Sequence, residues 1–290
     1  MIFEGASAAV AYAVVFFFSL CVGSFLNVVI YRLPREGLAV SSPRRSFCPN
    51  CRHQLSWHEN IPLFSWLLLR GRCRSCRSPI SARYPLVELT AAVLAIFLLQ
   101  AEGFSWRFVF YFYFVMCLTA IAFIDLEFMV IPDILVKPTV LLGLVSAAVT
   151  PYPRLTGLAL WNWLEAFGWN HRLVSLAGAV VAYAVGFLSL HLASVAYKRL
   201  KGQRGLGEGD PPLMGLIALF LGLPSVIPIL LLSSVLGLVS VAVLLFSGRL
   251  TSEGLGVKAI PFGPFLSLAA LIWLFWGDAF LSWYLPLMTF

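Results

Sequence analysis

The chain has 290 residues, of which 60% are hydrophobic and only 11% are charged, and its formal net charge is +7. Soluble domains carry about 25% charged residues, so the composition excludes an ordinary soluble protein and indicates an integral membrane protein. The positive net charge does not require a nucleic-acid partner, because the topology described below accounts for it. We therefore expect no nucleic acid among the partners.

Apolar stretches recur along the chain and predict an all-α, polytopic membrane protein with about eight transmembrane helices. A span requires roughly 17 to 25 residues, so the shorter stretches are weaker candidates, and 212–223 is the weakest. The first stretch has neither a basic segment before it nor a cleavage signal after it, so we expect a retained helix. The stretches lie at 7–30, 85–101, 108–124, 134–150, 173–197, 212–223, 225–246 and 262–285.

Basic residues lie almost entirely on one side of these helices. Ten arginines fall in 32–83, and four more Lys or Arg residues fall in 198–210. Because cytoplasmic loops are enriched in Lys and Arg, both segments are predicted to be cytoplasmic, with the N-terminus external. The basic residues left outside are Arg107, Arg154 and Arg172. The external region 151–172 also carries Trp161, Trp163 and Trp169, which we expect at the membrane interface.

The predicted topology divides the chain into three parts. The first transmembrane helix occupies 1–31, a small cytoplasmic loop domain occupies 32–83, and a seven-helix membrane domain occupies 84–290. The loop domain is distinguished by its cysteines, and the membrane domain by its acidic residues.

Four of the six cysteines lie in the loop domain, in two C-x-x-C pairs. The pairs are Cys48 with Cys51 and Cys73 with Cys76. This spacing is typical of a zinc ribbon, in which four thiolates surround one structural Zn²⁺ ion and leave no open position. Disulfides are the alternative, but they are rare in the reducing cytoplasm. His53 and His58 are alternative ligands, which a complete set of thiolates does not require.

An apolar stretch, 55–69, interrupts the cysteine loop and contains Trp57, Phe64 and Trp66. It can either lie in the membrane interface as an amphipathic element or pack on the helices. The surrounding arginines attract anionic headgroups, so membrane lipids are expected partners.

Two aspartates at predicted helix ends are the main candidates for chemistry, since ionisable groups in or near a membrane are usually functional. Asp125 closes the third helix and Asp210 opens the sixth, both at the cytoplasmic edge. Two carboxylates that hold a water suffice for aspartic proteolysis, one as base and one as acid. Asp210 before Pro211 is also the pattern of a helix N-cap. The glycines in 205–209 favour catalysis, because close approach of a substrate backbone requires them.

The helix ends suggest how the two aspartates differ. Negative charge is disfavoured at a helix C-terminus, where Asp125 lies, and favoured at an N-terminus, where Asp210 lies. Asp210 is therefore expected to be the more readily ionised of the two. Pro211 and Pro212 have no backbone N–H, so the first donor available to the Asp210 carboxylate is expected to be the amide of Leu213.

Six sequence blocks, in order, resemble the type IV prepilin peptidases, membrane aspartic proteases of the G-x-G-D class. The blocks are "GSFLNVVIYRLP", "CPNC" with "CRSC", "ISARYPLVE", "IDLEFMVIPD", "GLGEGD" and "IPFGPFL". The resemblance implies a bacterial inner-membrane enzyme that cleaves the basic leader of type IV prepilins or type II secretion pseudopilins at the cytoplasmic face. It assigns catalysis to Asp125 and Asp210 and metal binding to the four cysteines. It also implies methylation of the new N-terminus with S-adenosylmethionine.

Five residues near the aspartates are candidate substrate contacts. Glu127, Asp133 and Glu208 are acidic and would face the basic leader, although each is equally compatible with a solvated turn. Gly207 and Gly209 would pair with a substrate backbone that has unwound, because helical carbonyls are already hydrogen-bonded.

The chain departs from the family at one position, because Pro211 and Pro212 stand where the family usually has an apolar residue followed by lysine. The alternative function from another class is a polytopic transporter or assembly scaffold with a zinc-ribbon docking module. In that case the aspartates would be ion-pathway groups or helix caps.

Overall fold

The computed structural model describes residues 6–151, 170–202, 205–247 and 260–284. Within these ranges the regular secondary structure is helical, and β pairing is limited to isolated bridges. The predicted all-α fold is confirmed. Some residues of the predicted topology lie outside the described ranges, namely Arg154, Trp161, Trp163, Trp169 and Arg204.

Nine α-helices occur within the described ranges, and each of the eight predicted apolar stretches corresponds to one of them. They are α1 (Ala6–Arg32), α2 (Phe64–Leu68), α3 (Arg83–Glu102), α4 (Trp106–Phe128), α5 (Asp133–Val149), α6 (His171–Lys201), α7 (Asp210–Leu221), α8 (Val226–Phe246) and α9 (Gly263–Tyr284). Six of these, α1, α3, α4, α6, α8 and α9, are long and apolar enough to cross a membrane.

The chain divides into two compact units, residues 1–120 and 121–290, with the boundary inside α4. The first unit contains the cysteine loop, and the second contains both candidate aspartates. The three-part division by membrane topology remains a prediction, because it concerns sides of a membrane rather than contacts.

In the first unit, α1 packs along α3 and the cysteine loop leaves from the end of α1. The Asn27 side chain donates to the carbonyl of Tyr84 over 3.0 Å, which joins the two helices. The buried guanidinium of Arg32 donates to the loop carbonyls of Val40 and Arg45 over 3.1 Å. Because a buried charge requires partners, Arg32 fixes the first turn of the loop to the end of α1.

In the second unit, α7 lies at the centre and packs against α5, α6 and α9. Nearly all of its side chains are buried, so it is apolar on every side, as expected of a core helix. Its 12 residues extend about 18 Å, which is shorter than the roughly 30 Å of a bilayer core. The weakest of the predicted spans is therefore the helix that the other helices surround.

The contact between α6 and α7 requires a glycine in α6. A Cβ atom added at Gly186 would lie 2.7 Å from the Ala218 Cβ and 2.8 Å from the Met214 carbonyl oxygen. A backbone carbonyl cannot rotate away as a side chain can, so any larger residue at Gly186 forces the two helices apart.

We expect Gly186→Ala to destabilise the second unit by about 1–3 kcal/mol, the usual cost of overpacking. Thermal unfolding in detergent would measure this change. Gly237→Ala in α8 is the matched control, because its added Cβ would make only an ordinary contact of 3.6 Å with Phe265. Equal melting temperatures for the two variants would show that α6 and α7 do not depend on this close approach.

Candidate active site

Asp125 is a buried carboxylate in the last turn of α4. Its Oδ2 atom accepts a hydrogen bond of 3.1 Å from the backbone N–H of Gly263, the first residue of α9. The first N–H groups of a helix have no acceptor within the helix. The carboxylate of Asp125 therefore satisfies one of the free donors of α9.

Asp210 is equally buried and is the first residue of α7, with Gly209 as the N-cap residue. Its Oδ2 atom accepts from the backbone N–H of Gly207 over 2.9 Å. The predicted donor, Leu213, instead donates to the Gly209 carbonyl over 3.1 Å. The expected capping role of Asp210 is thus wrong, because the glycine loop folds back onto the carboxylate and supplies the donor.

The two aspartates lie close enough for their charges to interact. The side chain of Ile131 packs between the backbones that hold them, touching Gly209 on one side and Gly263 on the other. The expected helix-dipole difference between the aspartates stays a prediction, because Asp125 has a second helix end beside it. Asp125 ends α4 but faces the N-terminus of α9, so each carboxylate lies at the N-terminal end of a helix, where negative charge is favoured.

Two of the glycines around the pair have no room for a side chain. A Cβ atom at Gly209 would lie 2.6 Å from the Ile131 Cβ, and one at Gly263 would lie 2.6 Å from Asp125 Oδ2. Both distances are far below contact distance, so packing within the protein is enough to require glycine here. Sequence analysis attributed Gly209 to the approach of a substrate and did not identify Gly263 or Ile131 as site residues. Their only signal was their presence in the "IPFGPFL" and "IDLEFMVIPD" blocks.

The five predicted substrate contacts lie on the surface beside the pair. Gly207, Glu208, Glu127 and Asp133 are exposed, and Gly209 is half-buried. The carboxylate of Asp133 forms an ion pair of 2.7 Å with Lys137, one turn further along α5. This pair already neutralises Asp133, so a second cation there would have to displace Lys137.

The four cysteine thiols of the first unit form one cluster, in which all sulfur atoms lie within 4.8 Å of one another. The Sγ atoms of Cys48 and Cys76 are 3.9 Å apart, and those of Cys51 and Cys73 are 4.0 Å apart. A tetrahedral site with metal–sulfur distances of about 2.3 Å has edges of about 3.8 Å. The cluster can therefore hold one tetrahedral metal ion.

The two C-x-x-C turns have the same backbone hydrogen bonds. Cys48 donates to the His53 carbonyl over 2.9 Å and accepts from the Arg52 amide over 2.9 Å. Cys73 makes the equivalent bonds with Ser78 and Arg77, over 2.9 and 3.0 Å. This repetition brings two pairs of thiols to one point in the manner of a zinc ribbon.

The environment of Cys76 favours its thiolate, and both histidines of the loop lie outside the cluster. The Ser78 hydroxyl, 3.1 Å from the Cys76 sulfur, lowers the pKa of Cys76 to about 5, and the thiolate is the form that binds metals. His53 faces Glu59 at 3.3 Å, and His58 faces Arg74 at 2.8 Å. Neither histidine belongs to the cluster.

Two family models and several named relatives match this chain. The family model of the bacterial peptidase A24 N-terminal domain matches residues 17–101, and that of the type IV leader peptidase family matches 112–242. A prepilin leader peptidase/N-methyltransferase of Aeromonas hydrophila is 39% identical, over 94% of this chain and 93% of its own. The chain belongs to the type IV leader peptidase family.

Other relatives in this family carry the same name. The prepilin leader peptidase/N-methyltransferase of Legionella pneumophila is 34% identical, with 94% of each chain covered. That of Pseudomonas aeruginosa is 34% identical, over 93% of this chain and 92% of its own. No solved structure matches the chain significantly. In this leader peptidase family member, the cysteine cluster lies in the N-terminal match, and both aspartates lie in the second match.

We expect the purified protein to contain one metal ion per chain and to lose it on Cys73→Ser, because three thiolates no longer complete the tetrahedron. Elemental analysis of detergent-purified protein would measure the stoichiometry. Cys21→Ser is the control, since Cys21 is an exposed residue of α1 outside the cluster. Equal metal content in the two variants would exclude the four-cysteine site.

Proposed function

We propose that the protein is a membrane aspartic peptidase that removes the leader from type IV prepilins or type II secretion pseudopilins, with Asp125 and Asp210 as its catalytic residues. The observation that carries the proposal is that two buried carboxylates from different helices lie beside Gly209 and Gly263, which both contact the side chain of Ile131. Membership of the type IV leader peptidase family supports it. The relatives named above are prepilin leader peptidase/N-methyltransferases, which supports prepilins as substrates.

In the proposed reaction the two carboxylates share one proton and hold a water between them, because neighbouring carboxylates do not readily ionise together. The ionised member takes a proton from the water, whose oxygen attacks the scissile carbonyl carbon. The protonated member donates a hydrogen bond to the carbonyl oxygen and then a proton to the leaving amine as the C–N bond breaks. The amides of Gly207 and Gly263 hold one oxygen of each carboxylate in place.

The exposed surface beside the aspartates is the proposed substrate site. Glu127 and Glu208 would contact Lys or Arg in the leader, and Asp133 would do so by exchanging its partner Lys137. Gly209 and the carbonyl of Gly207, whose amide already holds Asp210, would pair with the unwound backbone around the scissile bond.

The proposed setting is the bacterial inner membrane, with the N-terminus external and the aspartates at the cytoplasmic face. The support is the strong excess of arginine in 32–83, which the positive-inside rule assigns to the cytoplasm. The metal proposed for the four cysteines is Zn²⁺. Four thiolates leave no open coordination position, so Zn²⁺ would stabilise the loop and take no part in proteolysis.

We further propose that the protein methylates the new N-terminus, with S-adenosylmethionine as the methyl donor. The support is the name shared by the relatives, and no described residue is assigned to the donor. Mass spectrometry of the processed substrate distinguishes an enzyme with both activities from one that only cleaves. A methylated N-terminus is heavier by one CH₂ unit, because a methyl group replaces a hydrogen atom.

Asp125→Asn and Asp210→Asn are each expected to reduce cleavage of a co-expressed prepilin by roughly 100-fold to 10,000-fold, the range for loss of an acid or base. Immunoblots of precursor and mature pilin measure the change. Asp278→Asn is the control, because this exposed aspartate of α9 lies about 22 Å along the helix from Gly263.

Unchanged cleavage in both asparagine variants would instead favour the alternative, a transporter or scaffold with a zinc-ribbon docking module. Elemental analysis of the same variants should show an unchanged metal content, because the aspartates are not in the cysteine cluster.

Gly263→Ala is expected to reduce the rate of cleavage by about 100-fold, the effect of roughly 1 Å of misplacement in an active site. The added methyl group would displace the Asp125 carboxylate from the amide that holds it. Purified enzyme and a prepilin peptide would give kcat and KM separately, and the loss should lie mainly in kcat. Gly237→Ala controls for the addition of a methyl group elsewhere in the unit. A normal kcat in Gly263→Ala would contradict the positioning role of this amide.

A further inference from the structure

The short helix α2 presents an apolar face outward from the first unit. Phe64, Leu67 and Leu68 are 53%, 63% and 81% exposed, and their i, i+3, i+4 spacing places them on one side of the helix. Trp57, in the 3₁₀ turn before α2, is 81% exposed. We call these four residues the α2 face. Exposed apolar clusters of this kind usually mark an interaction surface.

The opposite side of α2 is attached to the cysteine loop. The indole N–H of Trp66 donates to the Ile80 carbonyl over 3.2 Å, and its ring covers Gly71. The Ser65 hydroxyl donates to the Ile61 carbonyl over 2.7 Å. The contacts of Trp66 fix the rotation of α2 about its axis, so the apolar side is outward in the folded unit.

Helix α2 begins beside the first turns of α3 and not beyond the N-terminal end of α3. The amide of Leu63, the N-cap residue of α2, donates to the buried carboxylate of Glu88 over 2.8 Å. Glu88 is about 7.5 Å along α3 from its first residue, Arg83. On either side of Glu88, Leu86 and Leu89 are 53% and 43% exposed on this membrane-spanning helix. The start of α2 thus lies level with exposed apolar residues of α3, a helix long and apolar enough to cross a membrane.

The charge around the α2 face suits an anionic partner. Arg70, Arg72 and Arg74 follow α2 directly and are exposed. The loop domain has only two acidic residues to balance its ten arginines, and one of them, Glu59, is buried. Basic residues near an anionic lipid surface contribute about 1 kcal/mol each. An apolar face flanked by arginines is the pattern of an interfacial membrane element.

We propose that the α2 face is a lipid-binding surface, which inserts among the headgroups and upper acyl chains of an anionic leaflet and holds the cysteine loop against the membrane. The position of Leu63 beside α3 and the flanking arginines both favour lipid as the occupant. The proposal concerns a surface remote in sequence from Asp125 and Asp210 and does not depend on the proposed proteolysis.

A nitroxide at position 68 tests the proposal in the full-length protein. It is attached through a genetically encoded ketone side chain, which leaves the cysteines intact, in vesicles of phosphatidylcholine with phosphatidylglycerol. Accessibility to oxygen, which concentrates in lipid, is compared with accessibility to a neutral water-soluble paramagnetic chelate. The control label replaces Asn50, an exposed polar residue of the other cysteine turn. The ratio of oxygen to chelate accessibility is expected to be several-fold higher at position 68.

Equal ratios at positions 68 and 50 would overturn the proposal. The proposal would also be overturned if the label at position 68 became protected from the chelate only after a prepilin was added. The α2 face would then bind protein instead of lipid. Vesicles of phosphatidylcholine alone lack anionic lipid, so they test the contribution of the arginines to lipid binding. The ratio at position 68 should fall in them, and an unchanged ratio would contradict that contribution.

Discussion

The second unit depends on two backbone amides that each donate to a buried carboxylate. Burying a carboxyl group without a hydrogen-bond partner costs several kcal/mol, and Asp125 and Asp210 are both almost fully buried. The amides of Gly263 and Gly207 offset that cost. Since Gly263 begins α9 and Asp125 lies at the end of α4, one hydrogen bond also ties two helix ends that are far apart in sequence.

The packing around the two aspartates follows from the need to keep these hydrogen bonds. The Ile131 side chain leaves no room for a Cβ atom on Gly209, and the Asp125 carboxylate leaves none on Gly263. The buried helix α7 then carries Asp210 at its first position, and α5, α6 and α9 surround it. A carboxylate held at the end of a core helix moves little, which suits an acid or base that must stay aligned with a water.

Sequence analysis predicted much of this arrangement and missed particular parts of it for physical reasons. Hydropathy identified all eight apolar helices, because each has a long run of apolar residues, and the C-x-x-C spacing identified the cysteine cluster. Hydropathy does not distinguish a helix surrounded by lipid from one surrounded by protein, so the central place of α7 was not predictable. The contacts of Gly263 and Ile131 are long-range, and no local pattern encodes them.

The orientation of α2 was left open for a similar reason. Its sequence allows either an interfacial element or a segment packed on the helices, because both bury apolar side chains. Two hydrogen bonds, from the Leu63 amide to Glu88 and from the Trp66 indole to Ile80, orient α2 with its apolar face outward and so favour the interfacial element that we propose. These residues are separated by 25 and 14 positions, beyond the range of helical periodicity.

The prolines after Asp210 explain why the glycine loop must supply a donor. A carboxylate at the start of a helix ordinarily finds free N–H groups in the first turn, but Pro211 and Pro212 have none. The next amide, that of Leu213, already donates to the Gly209 carbonyl. Helix α7 therefore offers its own aspartate no donor, and the amide of Gly207 takes that place. This chain thus holds the Asp210 carboxylate with a neutral amide, beside a helix start that its prolines rigidify.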